Sequence, residues 1–243
     1  MGNMIPKIIH YCWFGKKEQP DMVKEYIKSW RKNCPDYEIV LWNEDNFDIN
    51  SNDYVKEAYA QKKYAFVSDY VRLYALKEYG GIYFDTDIEV KKNLDVFLKY
   101  NFVVGFEAVE RVATAVIMTE KDNDIIEEWL MYYQNRHFVM NNKTDETPNV
   151  EWITNRLKEC GLILNGKRQE IVKDQMIVYE KNIFSPYSVG DKKREYEDSY
   201  TVHWCDGSWV TGKNKCRIYF IRLIKKILGT NGYEAIRRKI KGI

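Results

Sequence analysis

The chain has 243 residues, of which 45% are apolar and 30% charged, and tyrosine alone accounts for 19. That balance excludes a disordered chain and fits one globular domain large enough to bury a core. Five scattered cysteines without a C-x-x-C pair exclude the usual structural-zinc and dithiol motifs and point to reduced thiols.

Residues 1–13 show no basic region followed by an apolar run, so no signal peptide is expected and the expected location is cytoplasmic. Residues 5–14 (IPKIIHYCWF) read as a buried first strand ending at Gly15. Helical spacing follows through Met22, Val23, Tyr26, Ile27 and Trp30, and residues 38–42 form a second strand. Strand, helix, strand at this spacing predicts a βαβ unit, with a ligand at the carboxyl ends of its strands. Residues 64–79 form the clearest helix, stopped by Gly80-Gly81, and residues 82–84 a short buried strand running into Asp85.

Further on, apolar stretches at 102–106 and 114–118 precede a helix at 123–133. A polar loop is expected over 134–148, a helix over 149–159, and short strands near 170–172 and 176–178.

The block AFVSDYVRLYALKEYGGIYFDTD at 65–87 carries the chemistry. Over 65–76 its helix is apolar or aromatic except for Ser68, Asp69 and Arg72, which fall on one stripe. A helix apolar nearly all round is buried, so this stripe faces a cavity or ligand; the alternative is a surface i,i+3 ion pair. Asp85-Thr86-Asp87 follows a buried strand, where two carboxylates call for a positive partner. If extended geometry continued, Asp85, Asp87 and Glu89 would share one side, a spacing suited to Mg²⁺ or Mn²⁺. A lone D-x-D can equally be a solvated turn.

The run S-D-Y-V-R-L-x₆-G-G-I-Y-F-D-T-D resembles the signature of the D-x-D-containing sugar transferases of glycosyltransferase family 32, which includes bacterial capsular and surface-polysaccharide transferases. I-P-K-I-I-H-Y-C-W-F-G at the start, L-W-N-E-D at 41–45 and H-W-C-D-G-S-W at 203–209 resemble further motifs of that family, in the same order. The resemblance implies a single GT-A type domain, a Rossmann-like nucleotide-sugar-binding α/β fold with a mixed, mostly parallel sheet flanked by helices.

For individual residues it implies that Trp13 stacks on the nucleobase and Asn43 lies near the nucleoside. Asp69 and Arg72, with Ser68 on the same stripe, match the positions that hold donor sugar and diphosphate. Asp85 matches the acid near ribose and sugar, Asp87 the metal ligand, and His203 the late metal-side position. Ser208 and Trp209 match residues that close over the diphosphate, and Glu107 is a candidate for the acceptor side. Structural alternatives stand beside several of these: a core role for Trp13 or Trp209, an ordinary histidine at 203, a paired strand-end acid at 107.

The reading that follows is a retaining, Mn²⁺- or Mg²⁺-dependent glycosyltransferase, with Asp85, Asp87 and Arg72 as its catalytic residues. It moves a hexose or N-acetylhexosamine from a nucleotide sugar, UDP-linked in preference to GDP-linked, to a glycan or glycolipid acceptor in surface-polysaccharide synthesis. The alternatives are a donor-binding module without turnover and a metal-dependent phosphoesterase. From residue 213 onward ten Lys or Arg stand against one acid, Glu234, a net +9 that leaves −7 for the rest. Residues 1–212 are thus expected to be catalytic and 213–243 a basic amphipathic tail. Ile218, Ile221, Leu223, Ile224, Ile227 and Leu228 stand there among Arg217, Arg222, Lys225 and Lys226, as in a peripheral helix on the inner face of the cell membrane; the alternative is a helix packed on the catalytic domain with a solvated basic face. The basic residues match no nucleic-acid reader motif, and no nucleic-acid partner is expected.

Overall fold

The computed structural model describes residues 5–187 and 197–205 throughout, together with scattered positions between 220 and 236. The first strand, β1 (Ile8–Cys12), is followed by helix α1 (Asp21–Asn33) and strand β2 (Glu38–Trp42). β1 and β2 pair in parallel, Cys12 opposite Trp42, which is the expected βαβ unit. α1 buries Val23, Tyr26, Ile27 and Trp30 along one stripe.

A helix without counterpart in the sequence reading comes next, α2 (Asp53–Ala60). Asn52 caps it by accepting from the Val55 N–H at 3.3 Å, and Tyr54, Val55 and Ala58 are its buried face. α3 (Tyr64–Tyr79) has the predicted bounds. It stops at Gly80, whose φ of +64° and ψ of −164° lie in a region open essentially to glycine alone. Gly81 has φ +102°, and a Cβ there would sit 2.6 Å from the Ile8 carbonyl oxygen, so the glycine pair lets β3 (Gly81–Phe84) lie flush against β1.

The chain then turns through residues 85–87 into β4 (Ile88–Val90). β5 (Phe102–Ala108), β6 (Arg111–Val112), β7 (Val116–Thr119) and α4 (Asp124–Met131) follow. The expected polar loop at 134–148 instead contains a small hairpin of β8 (Val139–Met140) and β9 (Lys143–Thr144). α5 (Asn149–Glu159) has the predicted bounds, and β10 (Gln169–Val172), β11 (Met176–Tyr179), the short α6 (Lys181–Phe184) and β12 (Thr201–His203) complete the described elements.

The main sheet runs β10-β11-β5-β7-β3-β1-β2, with β6 beside β5. Along that path β11, β5, β3, β1 and β2 point one way and β7 and β10 the other, giving the mixed, mostly parallel sheet of a GT-A type fold. Strand residues alternate between two apolar layers. Ile9, Tyr11, Ile82 and Phe84 pack toward Val23, Ile27 and Trp30 of α1. Cys12 and Tyr83 face the opposite layer, with Val71 and Leu76 of α3 and Trp129 of α4. Because β1, β2, β3, β5 and β11 share a direction, Trp13, Asn43, Asp85, Glu107 and Lys181 all fall at one edge of the sheet, the carboxyl edge where open α/β sheets bind ligands.

His10 locks β1 between its neighbours. The Trp42 indole N–H donates to His10 Nδ1 at 3.1 Å, which leaves Nε2 to carry the proton and donate to the Gly80 carbonyl at 2.9 Å. Protonating Nδ1 would set it against the indole N–H, and burial pushes the ring down to about 4. The neutral ring therefore contributes stability that is complete above the unfolded value near 6.5 and is lost as pH falls toward 4, on the order of 3 kcal/mol in full. Urea unfolding at pH 7 and pH 4.5 checks this. His10→Gln, which cannot take up a proton, should lose less stability across that interval than the parent; equal losses would assign the effect to other groups.

Candidate active site

α3 carries its polar stripe inward. The Arg72 side chain is 5% exposed and that of Asp69 14%, so the surface ion pair is excluded as an account of the stripe. Arg72 Nη2 lies 2.7 Å from Asp69 Oδ1 and 3.4 Å from Asp85 Oδ1, bridging the helix to the D-x-D turn. Its Nη1 donates to the Thr114 carbonyl at 2.8 Å and its Nε to the Ser68 carbonyl at 3.3 Å, and the guanidinium stands 4.5 Å from the centre of the Tyr83 ring. Every edge of the fork is used, in a geometry a lysine cannot copy. Burial raises the Asp69 carboxyl to about 6, against the opposing pull of the Arg72 guanidinium.

The segment after β3 is a turn and not an extended strand, closed by the Ile88 N–H donating to the Asp85 carbonyl at 3.2 Å. The expected common side for Asp85, Asp87 and Glu89 is therefore not formed. Glu89 instead accepts from Lys91 at 2.7 Å and from the Trp204 indole at 3.0 Å. The turn brings Asp85 and Asp87 together, and β12 supplies the third group. β12 pairs antiparallel with β4, His203 opposite Ile88, and this register sets His203 Nε2 3.2 Å from Asp87 Oδ1. Ligand atoms of Asp85, Asp87 and His203 all lie within 4.8 Å of one another.

Two carboxylates and an imidazole are a donor set that would suit Mn²⁺ or Mg²⁺, with the imidazole favouring Mn²⁺. Burial acts to push the His203 imidazole down, but the Asp87 carboxylate outweighs it and holds the ring well above its ordinary value. A cation held there would take the place of that proton. α1 supports the turn from outside: Trp30 Nε1 donates to the Ile88 carbonyl at 2.7 Å, and Ser29 Oγ accepts from the Val90 N–H at 2.9 Å.

The other expected residues are distributed along the same edge. Trp13 and Asn43 line an open cleft of about 690 Å³ with Lys16, Lys17, Glu44 and Asp45. Trp13 is half-buried, its indole donating to the Lys17 carbonyl at 2.6 Å. Asn43 ends β2 in a local turn, its Oδ1 accepting from the Asp45 N–H at 2.9 Å. Ser68 directs its hydroxyl to the Tyr64 carbonyl of its own helix at 3.1 Å. Glu107 is paired with Arg111 at 2.6 Å; burial raises its carboxyl, Arg111 lowers it, and His203, Lys181 and Asp85 are close enough to act on it as well. Ser208 and Trp209 lie outside the described residues, as does the expected boundary at 212–213.

Some participants had no strong sequence signal. Tyr83 donates its hydroxyl to Asp85 Oδ1 at 3.1 Å, although its place in a buried strand marks it only as core. Asn149 donates to Asp69 Oδ1 at 2.7 Å and accepts from the Thr114 hydroxyl at 3.0 Å, an arrangement that spans 80 residues of sequence. Glu44 ties the cleft together, accepting from the Gly15 N–H at 2.6 Å and the Tyr59 hydroxyl at 2.8 Å.

Replacing Arg72 by Met leaves Asp69 and Asp85 facing each other without the cation between them. A loss of about 3–5 kcal/mol is expected, the usual cost of breaking a buried pair from one side. Arg72→Lys should fall between Met and the parent, because it keeps the charge and drops the fork. Chemical denaturation measures both, and a Met variant within about 1 kcal/mol of the parent would show that the bridge is not structural.

Known proteins resemble the chain in the same places. The family described as "Glycosyltransferase sugar-binding region containing DXD motif" matches over residues 20–103, a span that includes Asn43, Asp69, Arg72, Asp85 and Asp87. An uncharacterised glycosyltransferase of Acanthamoeba polyphaga mimivirus is 26% identical over 229 residues, covering 89% of this chain and 88% of the viral protein. Inositol phosphoceramide mannosyltransferase 3 of Schizosaccharomyces pombe is 34% identical over 104 residues, covering 40% of this chain; the matched part spans only 28% of the yeast protein. Among solved structures, the PaToxG glycosyltransferase superposes with a TM-score of 0.49 at 21% identity, covering 65% of this chain and 72% of that one. The chain is a glycosyltransferase, and its residues 20–103 are similar to a sugar-binding region that contains a D-x-D motif.

Proposed function

We propose that the protein is a Mn²⁺- or Mg²⁺-dependent, retaining glycosyltransferase of the family 32 type, acting on a nucleotide-sugar donor at the carboxyl edge of its sheet. The observation that carries this reading is the convergence of Asp85, Asp87 and His203 within 4.8 Å, beside a buried Arg72 that already bridges two carboxylates. Asp87 and His203 hold the cation, and Asp85 faces both the cation and the donor. When bound, the divalent ion supplies positive charge for the oxygen on which the departing diphosphate leaves its electrons. Arg72 adds a fixed positive charge on the other side of Asp85, costing no reorganisation as charge develops.

Asp69, held by Arg72 and Asn149, accepts from donor-sugar hydroxyls. Trp13 stacks on the nucleobase and Asn43 meets the nucleoside in the cleft between β1 and β2. Ser68 lies on the donor-facing stripe of α3, Ser208 and Trp209 close over the diphosphate, and Glu107 faces the acceptor. With attack from the face of departure, the anomeric configuration is retained and no protein nucleophile is needed. The donor is a hexose or N-acetylhexosamine carried on UDP in preference to GDP, and the product is a surface polysaccharide of the capsular type.

A lipid-linked acceptor fits both the basic tail and the relative named for inositol phosphoceramide. Residues 1–212 form the catalytic part, and residues 213–243 bring it to the inner face of the cell membrane from the cytoplasm. Described positions in that tail are helical, with Phe220, Ile227 and Leu228 exposed. No helix among the described residues is long and apolar enough to cross a membrane.

Screening UDP-glucose, UDP-galactose, UDP-N-acetylglucosamine and GDP-mannose for hydrolysis in the presence of Mn²⁺ should find one preferred donor. Chelator should abolish its turnover, and Asp87→Asn should lower it by roughly a hundredfold or more. Full turnover in excess EDTA would defeat the metal-dependent reading. For the tail, a chain ending at Gly212 should lose binding to anionic liposomes at low salt while keeping donor hydrolysis. Full-length protein that does not sediment with such liposomes removes the membrane assignment.

A further inference from the structure

Helices α4 and α5 carry aromatic side chains to the edge where the candidate site lies. β7 runs against β3 and ends at the opposite edge, where the Asp122 N–H before α4 donates to the Lys77 carbonyl in the last turn of α3. α4 then returns, and Tyr133 just past its end packs on Tyr70, the neighbour of Asp69, with ring centres 5.7 Å apart. α5 starts at the same place, since its first residue, Asn149, donates to Asp69. Two partly exposed rings stand at this junction. Tyr132 is 40% exposed, and the Arg136 guanidinium lies 4.6 Å from its centre. Trp152 is half-buried and stacked on the fully buried Trp129, with centres 5.1 Å apart and planes inclined by 11°. The Tyr132 and Trp152 rings lie 6.2 Å apart at 41° to each other.

Trp129 occupies one face of Trp152, so the exposed part of that indole is its other face or its edges. Arg136, which backs Tyr132, is itself fixed: its Nε donates to Asp145 at 2.8 Å, and only 11% of its side chain is exposed. Rings held in this way lose little freedom when a ligand binds. Exposed Glu151 and Asn155 flank Trp152 on α5, and exposed Gln134 and Asn135 follow Tyr132, so the rings sit among hydrogen-bonding groups. Two partly exposed rings offer well under the roughly 800 Å² per partner of a stable protein interface. A sugar fits them better, because one face of a pyranose is a layer of C–H groups that packs on an aromatic face while its hydroxyls reach polar neighbours. Trp152 is also only about 4.5 Å along the helix axis from Asn149, the partner of Asp69. We propose that Tyr132 and Trp152 form a glycan-binding platform that seats the sugar units of the acceptor beside the donor sugar. This rests on the reading of Asp69 as a contact of that donor sugar.

The test is saturation-transfer nuclear magnetic resonance on the full-length protein with lactose, maltose, cellobiose and N,N′-diacetylchitobiose, beside donor hydrolysis and thermal unfolding. At least one of these disaccharides should bind the parent through its ring C–H protons. Tyr132→Ala and Trp152→Ala should each weaken that binding by about tenfold while donor hydrolysis stays within about twofold of the parent. Trp152→Phe, which keeps an aromatic face on Trp129, should retain most of the binding with an unchanged unfolding midpoint. Disaccharide binding that is absent from the parent, or unchanged in both alanine variants, overturns the platform. A fall in donor hydrolysis as large as the fall in binding also overturns it, by making the rings part of the donor pocket or of the fold. If the parent sediments as a dimer and Tyr132→Ala as a monomer, the rings serve a second copy of the chain and the platform is wrong. If the parent hydrolyses no donor yet binds a disaccharide through these two rings, the donor reading fails and the platform stands.

Discussion

The buried guanidinium of Arg72 is the element on which the rest of the site depends. A nearly apolar helix places it under the carboxyl edge of the sheet, where Asp69 and Asp85 both reach its Nη2. Two carboxylates at low exposure are tolerable only with a cation between them. Each remaining N–H of the fork that is assigned a partner goes to a carbonyl, one in α3 and one just before β7. The arginine therefore joins α3, β3 and β7 electrostatically as well as serving the site, and the D-x-D turn inherits its position from that bridge.

A second constraint comes from the backbone around the turn. Gly80 and Gly81 take conformations that a side chain would strain, and they deliver β3 against β1 in parallel register. β4 then needs partners for its backbone groups, which α1 and β12 provide. Through β12, a residue more than a hundred positions along the chain, His203, becomes the third member of the cation cluster. The cluster is thus a product of sheet pairing and not of local sequence.

Much of this was legible beforehand. The α3 and β2 bounds followed from unbroken apolar spacing and strong stops, and the buried stripe of Ser68, Asp69 and Arg72 from the apolar character of everything around it. Helix α2 was missed because its buried face is only three residues long and is announced mainly by the Asn52 cap. The hairpin at 139–144 was missed because its strands are two residues each, too short to show an alternation. Extending the strand through Asp87 was the wrong geometry, since nothing in D-T-D alone distinguishes a turn from a strand end. His203 could be tied to Asp87 only through a family resemblance, and Asn149 acts through a contact 80 residues away in sequence that periodicity does not encode.

The central claim is that Asp85, Asp87 and His203 hold a divalent ion against the diphosphate of a nucleotide sugar. A crystal of the protein grown with Mn²⁺ and a nucleoside diphosphate, with data collected at the manganese absorption edge, addresses it directly. The account predicts an anomalous peak within ligand distance of Asp87 and His203, bridged to the diphosphate, with the base against Trp13. Manganese bound elsewhere, or a nucleotide held with no metal at these residues, would contradict it.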